Sequence, residues 1–394
     1  MPTIILGGTT GVNIDPIRSF LENQLGLKTF KFEEYLKEEW RSPAPFLFQF
    51  MSLGRESMIN ILKRSTERVI TDLKEVEKAG KNSALALHFV YYRKGHLIIN
   101  PVLEEIIRKT NVKAILLFME DYYHALYRIL SRIKRRKPIF QQIDPLTYLY
   151  WRATEIGLIL SLVYKGISTY LLANKHDKRI VKRLVEHVLG IHRYKLVYVG
   201  HHITSIREKA IKEHSPLNDM DIVKEIQNFK DRLLTQVENL IVFDPTTIDE
   251  LIYDEEEKIK TCIEEEDRWP FSSETIHHDY HFPIDLIEEF KHLYPTELMR
   301  SDNYLRLVKE AIERQIEARD FLYINQSDVL VVYRPKLWGI DSRGVTYEVS
   351  TAQAQAKPVY CYTIEEEVIS EREGLFNYTF WLTDFDALQN LLQG

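Results

Sequence analysis

Glu348 stands in the run GVTYEVSTAQAQAKPVYCYT (344–363), where the backbone otherwise asks for small, close-packing residues. Ser350, Ala352, Ala354 and Ala356 follow it, then Lys357-Pro358 and a β-rich run from Val359 to Thr363. Small residues let a helix sit close on a sheet, so an ionisable group among them is held at a fixed place. Asp328 opens the apolar strand VLVVY, and Tyr198 lies in the apolar run KLVYVG. Parallel sheets bind ligands at the carboxyl ends of their strands. At such an edge Tyr198, Asp328 and Glu348 are expected to meet, as groups able to do nucleophilic or acid–base work. A glutamate in a first helical turn is expected to stay ionised, because the macrodipole favours the charged form. The plain structural uses are equally available: the macrodipole alone favours the Glu, and Asp is a common turn residue.

A second chemical signal is IILGGTTGVNIDPI (4–17), a strand, a glycine-rich turn and a helix start with Pro16 near its first position. Gly7, Gly8 and Gly11 in that setting would aim backbone N–H groups and a helix N-terminus at an anion, so they are the candidate nucleotide-binding residues. Asp15, close to that helix start, would repel phosphate. The cluster IHHDYHFP, with His277, His278, Asp279 and His281, lacks the spacing of a helical zinc pair and reads as lid or interface structure. No metal and no cofactor is expected.

The elements that must position these groups fall into two halves. Strand-like runs TIILGG, SALALHFV and VKAILLFME alternate with helical stretches up to Leu189, and KLVYVG, ENLIVFDP, DVLVVYRP and KPVYCYT repeat the alternation after Gly190–Lys195. Alternation of this kind predicts parallel sheets covered on both faces. The expected fold class is therefore α/β, with two parallel-sheet, three-layer domains over 1–192 and 193–394. A polar insertion at about 247–295 is expected as a surface lid. A length of 394 residues fits two domains better than one. A net charge of −6 favours neither a nucleic-acid coat nor a membrane surface. No apolar run is long enough to span a bilayer, the N-terminus lacks a signal-peptide pattern, and Cys262 and Cys361 are too few for a disulfide scaffold. A cytoplasmic location is the expectation.

Two resemblances sharpen this reading. The first 190 residues or so resemble the nucleoside monophosphate kinases and their P-loop relatives. Their phosphate loop ends Gly-Lys-Ser/Thr, where this chain reads Val12-Asn13-Ile14-Asp15. Arg128 stands where that resemblance has an arginine after a strand and helix. With the lysine and hydroxyl missing, the loop is expected to turn over little ATP. Residues 194–394 are similar to the nucleoside 2-deoxyribosyltransferases and nucleotide N-hydrolases. That resemblance rests on an Asp opening a strand, a Gly-x-x-x-Glu helix start (Gly344 to Glu348), and the first strand and loop KLVYVGHHITSIREK. It implies that Glu348 attacks or stabilises the sugar in an oxocarbenium-like transition state, with Asp328 as second catalytic carboxylate. Tyr198, Gly200, Ser205, Arg207, Asp341 and Gly344 would line the substrate pocket. His201 and His202 depart from the small residues that the resemblance implies. The expected activity is cleavage or transfer at an N-glycosidic bond of a nucleoside or nucleotide, in a homo-oligomer with no membrane or nucleic-acid partner. The alternatives are a P-loop phosphotransferase and a non-catalytic nucleotide-sensing scaffold.

Overall fold

The computed structural model describes residues 1–8, 11–40, 53–93, 96–120, 125, 128, 145–206, 209, 220–248, 302–364 and 379–394. Arg207, Cys262, the histidine cluster and all of the expected insertion beyond Ile248 lie outside these residues. Two compact units result: Met1–Ile191 with Leu293–Ala311, and His192–His292 with Ile312–Gly394.

In the first unit the order is β1 (Thr3–Gly7), α1 (Asp15–Leu25), β2 (Lys28–Lys31), α2 (Phe32–Trp40) and α3 (Arg55–Lys78). Then follow β3 (Ser83–Ala86), the hairpin β4 (Val90–Arg93) and β5 (His96–Ile99), α4 (Val102–Lys109) and β6 (Val112–Met119). The last elements are α5 (Pro145–Leu162), β7 (Ser168–Ala173) and α6 (Lys178–Leu189). The sheet runs β2-β3-β1-β6-β7, all parallel. Every residue of β1 is buried, as continuous apolar runs in a doubly covered sheet must be. The run SALALHFV does not stay one strand: β3 ends at Ala86, and the chain then turns into the antiparallel hairpin. Because β1 connects towards β3 and β6 towards β7, the chain reverses direction between β1 and β6. That leaves a crevice at their carboxyl ends.

The second unit has β8 (Lys195–His201), α7 (Asp221–Gln236), β9 (Leu240–Phe243), the part of α8 (Asp302–Gln326) from Ile312 onward, and β10 (Val329–Tyr333). A small hairpin follows, β11 (Lys336–Leu337) and β12 (Ile340–Asp341), then α9 (Arg343–Ala354), β13 (Val359–Tyr362), β14 (Phe380–Leu382) and α10 (Phe385–Gln393). This sheet is also parallel, in the order β14-β13-β10-β8-β9, so its reversal lies between β8 and β10. The hairpin turns on Trp338 and Gly339, both at positive φ (53° and 73°), the geometry that matches strand twist in a two-residue turn. Strand alternation sorts β8 between two faces. Val197 and Val199 join Ile226, Phe229 and Leu233 of α7 and Leu388 of α10 in one apolar cluster. Tyr198 and Gly200 face the other way, towards Tyr323 of α8 and Glu348 of α9. The expected α/β class with two parallel sheets is what the chain adopts.

Candidate functional site

The glycine loop of the first unit closes on the protein itself. A Cβ on Gly7 would stand 1.9 Å from the Phe89 ring, and one on Gly8 would stand 2.7 Å from the Phe118 carbonyl oxygen. Gly11 has φ +107°, and a Cβ there would meet the Ala125 carbonyl at 2.5 Å. The loop's carbonyls are engaged as well: Gly8 O lies 3.0 Å from His88 Nδ1, and Gly11 O accepts from Arg128 Nη1 at 3.0 Å. The glycines therefore permit close packing of chain on chain, which the sequence pattern reads as room for a phosphate. Gly11→Ala is expected to lower stability by roughly 2 kcal/mol or more, because it adds backbone strain to a backbone clash. A urea-unfolding midpoint equal to wild type would show that the loop is open rather than packed.

Asp15 is paired. Lys31 Nζ lies 2.8 and 2.7 Å from its two oxygens, so it does not confront an incoming anion as bare charge. Beside the loop lies a cleft of about 550 Å³ at the carboxyl ends of the strands. Asn13, Pro16 and Phe20 line it from the loop and α1, Arg128 from the segment after β6, and Asn174, Lys175 and Lys178 from the turn between β7 and α6. The Arg128 guanidinium pairs with buried Glu120, which Asn174 Nδ2 also contacts at 3.4 Å. Asp177 caps α6 by accepting from the Arg179 backbone N–H at 2.7 Å. His176 Nδ1 accepts from the Ala173 N–H at 2.8 Å, which fixes the neutral ring with its proton on Nε2. Sequence reasoning missed Asn174, Lys175 and Lys178. The signal was a polar turn directly after an apolar strand in a parallel sheet.

In the second unit the structure brings together Tyr198, Gly200 and Glu348. Tyr198 donates its hydroxyl to Glu348 Oε1 at 2.7 Å, and both residues are buried. A Cβ on Gly200 would come within 2.3 Å of Glu348 Oε2, so only glycine lets the carboxyl lie against β8. Oε2 has no hydrogen-bond partner among the described residues. Glu348 is the sixth residue of α9, one turn deeper than expected, with Ser342 rather than Glu348 serving the helix start. Burial first, and then the neighbouring Asp320 charge, push its carboxyl up to about 8, against the opposing pull of the Tyr198 hydroxyl and Arg319. Both causes favour the protonated carboxyl over the ionised form expected from a place in the first helical turn.

Asp328 is not part of this group. It precedes β10 and therefore sits at the amino edge, where its Oδ2 accepts from Leu196 N–H at 2.8 Å and its own N–H donates to Leu196 O at 2.7 Å. Its work is to clamp the starts of β8 and β10. Asp341, in β12, and Gly344, one helical turn before Glu348 on α9, are both exposed. Ser205 contacts His202 Nδ1 at 3.2 Å, and His202 Nε2 reaches Pro335 O at 2.8 Å. Since a carbonyl only accepts, His202 is protonated on Nε2 and Ser205 donates to Nδ1; burial holds this imidazole below its usual range. Both histidines are buried structural groups.

The carboxylates that do reach the carboxyl edge are Asp244, after β9, and Asp320, on α8. Lys230 Nζ is 2.7 Å from Asp244 Oδ2, and His201 Nε2 is 3.8 Å from its Oδ1. Burial alone would raise Asp244, but these two groups more than offset it and hold the carboxyl well below the usual range. Burial raises Asp320 despite Arg319, whose Nε and Nη2 lie 3.0 and 2.8 Å from its Oδ1.

No family model and no curated protein matches the chain. Solved structures that resemble part of it include a sugar kinase from Janibacter sp. HTCC2649, at 11% identity and a TM-score of 0.31, covering 48% of this chain and 95% of that one. A putative kinase from Chloroflexus aurantiacus is 12% identical, with a TM-score of 0.29 and coverage of 48% and 97%. An uncharacterised protein from Eubacterium ventriosum is 13% identical, with a TM-score of 0.25 and coverage of 48% and 99%. Likeness of this degree assigns no activity.

Proposed function

We propose that the first unit binds a phosphorylated small molecule of nucleotide type, and that the chemistry served there is phosphoryl transfer. The observation that carries this reading is the cleft beside the glycine loop. Its volume of about 550 Å³ suits a ligand of that size. Its lining combines Lys175 and Lys178 with the starts of α1 and α6, beside Arg128, which is paired with Glu120, and Asp177, which is paired with Arg179. Phosphoryl transfer needs positioning and charge neutralisation far more than covalent machinery. Cations absent from the loop are supplied here by the segments after β6 and β7. The apolar side of the cleft, Pro16 and Phe20, gives a ring system a surface to lie on.

The test is calorimetric titration of the full chain with ATP and GTP in the presence of magnesium, followed by transfer of the terminal phosphate to a panel of small hydroxyl acceptors. Lys175→Ala combined with Lys178→Ala is expected to weaken nucleotide binding roughly a hundredfold or more, at about 1.5–3 kcal/mol for each of the two lost charge-assisted bonds. No binding at millimolar nucleotide, or equal binding by the double variant, would overturn the reading.

A second reading belongs to the other unit and rests on the Tyr198–Glu348 contact beside the reversal between β8 and β10. A buried, protonated carboxyl is suited to protonate a departing base, so N-glycosidic cleavage there would use Glu348 as general acid rather than nucleophile. Release of free base from a nucleoside and nucleotide panel tests it. Glu348→Gln should slow that release roughly a hundredfold.

A further inference from the structure

Helix α5 (Pro145–Leu162) carries its polarity inside out. Its only charged residues, Arg152 and Glu155, are 1% and 0% exposed. Trp151 Nε1 donates to Val90 O at 2.9 Å, and Glu155 Oε1 accepts from Phe89 N–H at 3.1 Å, so that face is latched to the start of β4. The outward stripe is Tyr150, Ala153, Gly157, Leu160 and Ser161, continued by Tyr164 in the single 3-10 turn that follows. Tyr150 is 64% exposed, Leu160 39% and Tyr164 95%. At about 100° per residue these positions fall within about 60° of the Gly157 direction, a continuous uncharged face. Helices at a solvent boundary carry charge on that side. This one has none.

The order of residues on that face is symmetric about Gly157. Alanine and serine stand four positions before and after it, and tyrosines seven positions before and after it. Glycine is among the poorest helix formers, yet none of the described residues approaches Gly157: a Cβ there would have no neighbour among them within 4 Å. No packing among the described residues explains its place.

We propose that a second copy of this chain covers the face, with the two α5 helices antiparallel about a two-fold axis at Gly157. In a two-fold interface each residue meets its mirror position. Gly157 then meets Gly157, Ala153 meets Ser161, and Tyr150 meets Tyr164 at roughly 10 Å on either side of the axis. Small residues at the crossing let the backbones approach, and the tyrosines close both ends. Each tyrosine offers on the order of 150–250 Å² when fully covered. Together with Leu160 they supply several hundred of the roughly 800 Å² that each partner of a stable interface buries. No like charges are brought together, because none is on the face.

Sedimentation of the full chain over a range of micromolar concentrations tests this. The wild type should be a dimer. Gly157→Glu places two like charges on the axis and should raise the dimer dissociation constant roughly tenfold or more, with an unchanged circular dichroism spectrum. If that variant fails to fold, Tyr164→Glu, in the exposed turn, should have the same effect. In a Cys262→Ser background, Gly157→Cys should cross-link to itself under mild oxidation, and Ala153→Cys should cross-link to Ser161→Cys but not to itself. A monomeric wild type overturns the proposal, whether the Gly157→Cys thiol alkylates freely or is shielded within its own chain. So does a dimer that survives both glutamate variants, or one in which Ala153→Cys links to itself as parallel helices would.

Discussion

Glu348→Gln is expected to flatten the second unit's loss of stability between about pH 5 and 8. In the wild type the folded state holds the Glu348 proton up to about pH 8, whereas the unfolded chain gives it up near its ordinary 4.5. The stabilisation is fully present below the unfolded value and is lost as pH rises towards the folded one. One proton corresponds to about 1.4 kcal/mol per pH unit, so the loss across this window is on the order of 4 kcal/mol. Glutamine has no proton to lose, and it keeps the shape and a donor beside Tyr198. Urea unfolding read by hydrogen exchange in β8 and β10 peptides separates this unit from the other. Glu155 gives a built-in contrast: burial pushes its carboxyl to about 8 against the backbone N–H groups of Phe89 and Val90, so the first unit should keep its own slope in the variant. An unchanged slope in the second unit would mean that Glu348 is ionised in the fold.

Lys230→Met is expected to cost about 3–5 kcal/mol, the usual consequence of leaving one member of a buried ion pair alone. Lys230 is 3% exposed and its Nζ bridges Asp244 Oδ2 and Thr246 Oγ1 at 2.7 and 3.0 Å. Asp244 also accepts from the Thr246 N–H at 2.9 Å, so its carboxylate holds the turn after β9 as well as the end of α7. Without the ammonium, that charge keeps the neutral donors of Thr246 and, at 3.8 Å, the His201 ring among the described residues. Because the Asp244 carboxyl is held low in the fold, the wild-type pair contributes stability above the ordinary carboxylate range and loses it as pH falls through the depressed value. A fall of roughly 10 °C in melting temperature is the expected reading. A change of one or two degrees would show that the pair is solvated.

Which parts of this architecture could be read from residues alone follows from what each signal encodes. Uninterrupted apolar runs such as ILLFM and VLVVY report burial on both faces, and all of them became parallel strands. The hairpin after Ala86 escaped because HFVYYR continues the same β-type composition across a change of direction. Asp328 was misplaced for a physical reason available in advance. A residue that opens a parallel strand lies at the amino edge, whereas the carboxyl edge takes residues that end or follow strands, as His201 and Asp244 do. Glu348 was placed beside Tyr198 and Gly200 by pattern, but its protonation depends on burial and on Asp320, on a different helix. A glycine-rich turn encodes only that something comes close; here the approaching atoms are Phe89, Phe118 and Ala125.

The parallel register of the first sheet also shapes how the chain is born. Strand β1 is synthesised before both of its neighbours, β3 and β6, and Thr3 finds its first partner at Ser83. Synthesis at about 5–20 residues per second leaves TIILG without a ladder for on the order of ten seconds. Non-local pairing of this kind is rewarded only after a long loop has closed. The segment that ends as the buried central strand of its sheet therefore waits as an unpaired adhesive stretch of the nascent chain, of the kind a holding chaperone covers.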